Sequence, residues 1–224
     1  MRSREQAPAR FMVGGGLGSP GPDAVTAFPV VALVSSAAAS ETLARVLAPL
    51  PPGFPAAVLA MHAGPPDADR EQARLLGDRI ALPVSLAPAG SVLRPGHVLL
   101  LPSGRQPLLG ADQRLRLVDV YSVPSDRPPV GQQPSPDLLL HTLAVALGPR
   151  AIAVLLSGGR QPGTLGAQAV QGYGGRSLVR GRPPEVDGAT AADLDGPPPP
   201  PLTLDAIAST LCRLCDPPQP PRGT

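Results

Sequence analysis

The chain reads as a single α/β domain, a doubly wound, mainly parallel sheet with helices on both faces. Three observations carry that reading. Short apolar runs of strand length alternate with longer stretches of helical spacing, as βαβ units require. Two of these runs end in a reactive side chain, Ser36 after the run at 29–35 and His62 after the run at 56–61. Open parallel sheets gather their ligands outside such carboxyl ends. The length, 224 residues, allows one domain with a real core and is too short for two generous ones.

Residues 1–28 carry Gly, Pro and charge without apolar periodicity, and are expected to form a flexible leader. The strand at 29–35 leads into a helix at about 40–48, stopped by Pro49. After the strand at 56–61, Pro65 and Pro66 open a helix that runs to about Leu76, with Asp67 in N-cap position. The runs at 84–87, 96–102 and 115–120 read as strands. A Pro-rich loop then leads to a helix at about 135–147, where Leu138, Leu139, Leu140, Leu143 and Leu147 recur at helical spacing. Asp137 is the acid that the helix N-terminus favours. The most hydrophobic strand, at 151–156, meets a glycine-containing turn at 157–163 and a helix at about 164–171. A short strand at 177–179, a Pro-rich loop at about 183–201 and a final helix at about 203–214 complete the order. The domain is drawn at 29–214, followed by a flexible tail at 215–224.

Composition narrows the function classes. All 19 basic residues are arginine, and 17 acidic residues leave a net charge of only +2. A dedicated nucleic-acid binder would show a clustered basic stripe instead. Glycine and proline, 25 and 33 residues, make up about a quarter of the chain, which borders on low complexity. The prolines crowd between apolar segments, so an ordered domain with long Pro-rich loops is expected. With no tryptophan, two tyrosines and three phenylalanines, the core must be Leu, Val and Ala. No apolar run reaches 18 residues and no secretory h-region opens the chain, so cytoplasm is the default compartment. Cys212 and Cys215 form a lone C-x-x-C within helical spacing. They read as helix-face residues, and neither a metal nor another cofactor is expected.

Ser36 and His62 carry the chemistry. A serine hydroxyl is weakly nucleophilic until a neighbouring base takes its proton, and histidine is the usual base. Each has a plainer reading: Ser36 as a helix N-cap, His62 as a satisfied histidine at a strand end. The turn at 157–163, with Gly158 and Gly159, could cradle an anion with its amides or supply an oxyanion hole. His97 and His141 read as structural or surface residues. The proline run at 197–201 reads as a rigid spacer rather than a ligand for SH3-like partners.

In order along the chain, five segments resemble the catalytic domain of the protein-glutamate methylesterase of bacterial chemotaxis. The stretch 32–39, ALVSSAAA, is similar to that family's A-I-G-A-S-T-G-G and puts Ser36 at the nucleophile. Met61-His62-Ala63-Gly64 lies where the family has Q-H-M-P, which makes His62 the base. The stretch 95–102, PGHVLLLP, resembles P-G-H-x-Y-(I/L)-A-P, and 133–142, QPSPDLLLHT, resembles R-P-S-V-D-x-L-F-x-S. The stretch 154–163, VLLSGGRQPG, resembles V-I-L-T-G-M-G-x-D-G. The likeness covers roughly 29–182, with a weaker tail to 214.

The departures bear on catalysis. Pro162 occupies the family's triad aspartate position, Ala38 and a neighbouring alanine replace its paired glycines, and Arg160 is an added charge. The 28 residues before the first strand are too few for the family's receiver domain, so control by an attached receiver is not expected. What the resemblance implies is a stand-alone, divergent serine hydrolase, cleaving glutamate methyl esters on chemoreceptor-like proteins, with weakened activity. The alternative is a non-catalytic binding or regulatory protein that keeps the cleft. Asp119 and Asp137 are the carboxylates considered as substitutes for the missing acid, and Pro162→Asp is expected to raise the rate.

Overall fold

The uninterrupted apolar runs at 30–34, 57–61 and 151–155 leave no polar face for water, so the sheet they form must be covered on both sides. The computed structural model, which describes residues 28–35, 39–119, 133–156, 162–181 and 202–215, has that architecture. Its strands are β1 (Val30–Val34), β2 (Ala57–Met61), β3 (Val84–Leu86), β4 (Val98–Leu100), β5 (Arg105–Leu109), β6 (Leu115–Asp119), β7 (Ala151–Leu155) and β8 (Arg176–Val179). Its α-helices are α1 (Ala39–Leu47), α2 (Asp69–Gly77), α3 (Pro136–Leu147), α4 (Thr164–Gly172) and α5 (Leu204–Cys215). Six strands form one sheet in the order β3-β4-β2-β1-β7-β8, with every neighbouring pair parallel. β5 and β6 make a separate antiparallel hairpin.

Alternation along each strand divides the core into two layers. Val31 and Leu33 of β1, Val58 of β2 and Val154 of β7 pack with Leu43 and Leu47 of α1, Leu76 of α2, and Ile207 and Leu211 of α5. On the opposite face Val30, Ala32 and Val34 of β1, Leu59 and Met61 of β2, and Leu155 of β7 pack with Leu139, Leu140 and Leu143 of α3 and Val170 of α4. Helices therefore cover both faces, as the alternating pattern predicts. β1 lies between β2 and β7, and the chain winds outward from it first toward β3 and later toward β8. The order of winding reverses at β1, so the crevice opens beyond the carboxyl ends of β1, β2 and β7.

Two devices fix the helices beside that crevice. Gly166 lets α4 close onto α3, since a Cβ there would come within 2.6 Å of Leu140 Cβ and 2.9 Å of the Asp137 backbone. The Asp137 carboxylate accepts the backbone N–H groups of Gly163 at 3.2 Å and Gly166 at 2.8 Å. It thereby satisfies donors that the first turn of α4 cannot pair internally.

The structure corrects several expectations. Asp67 caps nothing: it lies in a 3₁₀ turn (Pro66–Ala68), and α2 begins at Asp69 after Ala68, with no side-chain cap. The segment 105–109 is a strand that the sequence reading passed over, because Pro107 interrupts it. Proline is tolerated there in a two-stranded hairpin. The strand expected at 115–120 pairs only with β5 and stays outside the main sheet. The last helix runs to Cys215, which is buried, so the expected tail begins one residue inside α5. Apart from Phe28 and Cys215, the expected leader, tail and the loop at 183–201 lie outside the described residues.

Candidate active site

β2 is buried along its whole length and delivers His62 at its carboxyl end, where the side chain is only 4% exposed. β1 runs alongside in parallel, Val34 opposite Met61, and the Ser35 N–H donates to the Met61 carbonyl at 3.0 Å. On the other side the Leu156 N–H donates to the Val34 carbonyl at 2.9 Å, which brings the end of β7 to the same place. The ends of β1 and β2 open onto one cavity of about 540 Å³. Ser35, Met61, His62, Gly64, Ser103, Gly104, Asp137 and Pro162 are among the residues that line it. The segment from Gln133 to Asp137 forms one wall. Gln106 anchors that wall: its Oε1 accepts the Ser135 N–H at 2.6 Å, and its Nε2 donates to the Ser135 carbonyl at 3.1 Å.

A carboxylate stands beside His62. Asp69 Oδ1 lies 3.3 Å from His62 Nε2, and the Asp69 side chain is also 4% exposed. Its second oxygen, Oδ2, accepts the Ser103 backbone N–H at 2.8 Å. Asp69 is the first residue of α2, where the helix N-terminus favours negative charge. At 3.3 Å the contact is an ion-pair distance rather than an aligned hydrogen bond. His62 Nε2, Asp69 Oδ1 and Ser103 Oγ are buried polar atoms without an aligned hydrogen-bond partner among the described residues. Burial pushes the His62 pKa below the ordinary histidine value, against the opposing pull of the Asp69 charge and the Ala63 backbone. Burial thus favours the neutral ring, the form a general base needs.

The sequence-derived candidates divide as follows. His62 and Pro162 both reach the cavity. Ser36, Gly158, Gly159 and Arg160 lie outside the described residues. Ser35, the residue before the proposed nucleophile, lines the cavity. Neither carboxylate considered as a substitute acid pairs with His62. Asp119 sits at the exposed end of the hairpin and accepts from Arg105 Nε at 2.7 Å, while Asp137 is committed to the N-terminus of α4. His97 Nε2 lies 2.8 Å from Ser85 Oγ, away from the cavity. His141 is exposed and meets the Tyr173 ring edge-on at a centroid distance of 6.4 Å. The residue that sequence reasoning missed is Asp69. Its only signal was an acid in the first turn of the helix following His62, a position usually explained by the helix dipole alone.

Comparison with known proteins follows this geometry. A family model described as CheB methylesterase matches residues 31–185. The protein-glutamate methylesterase/protein-glutamine glutaminase of Moorella thermoacetica is 35% identical over 193 residues, covering 83% of this chain and 44% of that protein. Protein-glutamate methylesterase/protein-glutamine glutaminase 4 of Anaeromyxobacter dehalogenans is 32% identical over 198 residues, 84% of this chain and 52% of its own. The protein-glutamate methylesterase FrzG of Myxococcus xanthus is 31% identical over 153 residues, 68% and 44% respectively. The chain thus spans about half the length of the curated relatives it matches. The crystal structure of the Thermotoga maritima CheB methylesterase catalytic domain superposes with a TM-score of 0.67 at 24% identity, over 84% of this chain and all of that one. That likeness shows the fold.

Proposed function

This chain belongs to the CheB methylesterase family, and on that premise we propose that it hydrolyses methyl esters of glutamate side chains on protein substrates. In this reading Ser36 is the nucleophile and His62 the general base. The observation that carries it is His62 itself, a buried imidazole held at the end of β2, on the wall of a cavity that the neighbouring strand reaches through Ser35.

His62 takes the proton of the Ser36 hydroxyl as its oxygen attacks the ester carbonyl. The tetrahedral oxyanion collapses with cleavage of the carbon–oxygen bond to methoxide, which leaves as methanol with the proton returned by His62. Water then attacks the acyl-serine with His62 again as base, releasing the glutamate carboxylic acid and restoring Ser36. The amides of Gly158 and Gly159 are the donors proposed for the oxyanion. Relatives carry the name protein-glutamine glutaminase as well, and the same acyl transfer on a primary amide would release ammonia instead of methanol. The substrate proposed is a chemoreceptor-like protein, and the compartment proposed is the cytoplasm. No described helix is long and apolar enough to cross a membrane.

Methanol release from a peptide carrying glutamate methyl ester tests this reading. The expected result is turnover by the wild-type chain and background rates for Ser36→Ala. Equal rates for the two, at the buffer background, would replace the hydrolase by a binding protein that keeps the cleft.

A further inference from the structure

We infer that Asp69 is the positioning acid of this site, supplied by the first turn of α2 in place of an aspartate in the turn after β7. The inference rests on the hydrolase reading above. Four observations converge on it. The Asp69 carboxylate is 3.3 Å from His62 Nε2, with both side chains 4% exposed. Its other oxygen is held by the Ser103 N–H at 2.8 Å, so the carboxylate cannot swing away from the ring without losing that bond. Position 162, which also lines the cavity, holds a proline whose side chain has no acceptor. Asp137, the acid among the described cavity-lining residues, already accepts the backbone N–H groups of Gly163 and Gly166.

The consequence for the ring is specific. A neutral imidazole carries one N–H, and a carboxylate is the strongest acceptor within reach. The Ala63 backbone also acts on the ring, but a carboxylate is the stronger acceptor, so we place the proton on Nε2, toward Asp69, and leave Nδ1 for the serine. The Nδ1 edge faces Gly64, a residue of the cavity wall. That assignment is the reverse of the serine-protease order, in which the acid holds Nδ1. When Nδ1 takes the serine proton, Asp69 stabilises the imidazolium, and no proton passes to the carboxylate. Among the described residues, Asp69 is the charged group that acts on His62. Asp69 comes from α2; α3 places Asp137 in the same cavity, while β1, β2 and the segment after β4 place Ser35, Met61, Ser103 and Gly104 there.

The test pairs kinetics with histidine nitrogen NMR on the whole chain. Asp69→Asn keeps the shape and an acceptor for the Ser103 N–H, but removes the charge. The expected loss in kcat/KM is about 10²- to 10⁴-fold, the range of an acid-to-amide change in a triad. The acid limb of the pH profile should move to lower pH, because a group that favours the charged ring is gone. In a His62→Ala background the same substitution should cost nothing, which a purely structural role cannot reproduce. In wild type, His62 should show its proton on Nε2. Unchanged kcat/KM in Asp69→Asn alongside an active wild type would overturn the inference and leave the hydrolase standing. So would an equal loss with and without His62. A wild-type His62 protonated on Nδ1 would overturn it even if Asp69→Asn failed to fold. A wild type with no Ser36-dependent turnover would instead remove the hydrolase reading, and the catalytic role of Asp69 with it.

Discussion

Replacing Gly64 by alanine measures how finely His62 is seated. A Cβ at this position would lie 3.3 Å from His62 Nδ1 and 3.4 Å from its Cε1, closer than ordinary van der Waals contact. Gly64 is not among the glycines with positive φ, so the backbone accepts alanine without strain. The next nearest atom, Ser103 Oγ, is 3.9 Å away and undisturbed. The imidazole must therefore yield by a few tenths of an ångström. A misplacement of about 1 Å costs on the order of 10²-fold in rate, which scales to roughly three- to tenfold in kcat/KM here. Stability should not fall, because Gly→Ala at a compatible site gains about 0.4–1 kcal/mol through the unfolded chain. The assay is methyl-ester hydrolysis together with thermal unfolding of the same preparation. Unchanged kcat/KM would refute the claim that the Nδ1 edge is the working edge. A loss of activity that tracks a lower Tm would refute it equally, since the cause would then be folding.

Three further outcomes are expected. Hydrolysis should persist below the ordinary histidine pKa of 6.5, because burial lowers that of His62 and keeps its base form at more acidic pH. An acid limb of kcat/KM centred above 6.5 would contradict this. Gly166→Ala should destabilise the fold by about 1–3 kcal/mol in chemical denaturation, since its Cβ would overlap Leu140 and the Asp137 backbone; unchanged stability would mean that α3 and α4 are less closely packed. Pro162→Asp should bring no several-fold gain in rate, contrary to the expectation from sequence, because Asp69 already stands beside His62. A large, Ser36-dependent gain would show that the acid position after β7 is the one that matters.

Elements defined by unbroken apolar runs were legible from sequence because parallel strands buried on both faces need no polar alternation. β1, β2 and β7 are cases in point, and α3 was readable from its repeated leucines. His62 was legible for the same reason, as the first polar side chain after such a run. β5 was not, since Gln106 and Pro107 break its pattern, and its pairing with β6 is a tertiary fact. Asp69 was hidden by topology. Asp69 lies seven positions after His62, and the 3₁₀ turn at Pro66–Ala68 folds the start of α2 back against the ring. Asp137 misled in the opposite way. It sits at the cavity, yet its oxygens are consumed by the N–H groups of Gly163 and Gly166, which no spacing rule reveals.

The central claim is that Ser36 is a nucleophile activated by His62. Four serines compete for that role in chemical terms, because Ser35, Ser103 and Ser135 line the same cavity. Labelling the purified chain with a fluorophosphonate, followed by peptide mass spectrometry, separates them without knowledge of the substrate. The expected result is a single adduct on Ser36 that is lost in His62→Ala. No adduct in the wild type, an adduct on Ser35, Ser103 or Ser135, or labelling of Ser36 that is indifferent to His62 would contradict it.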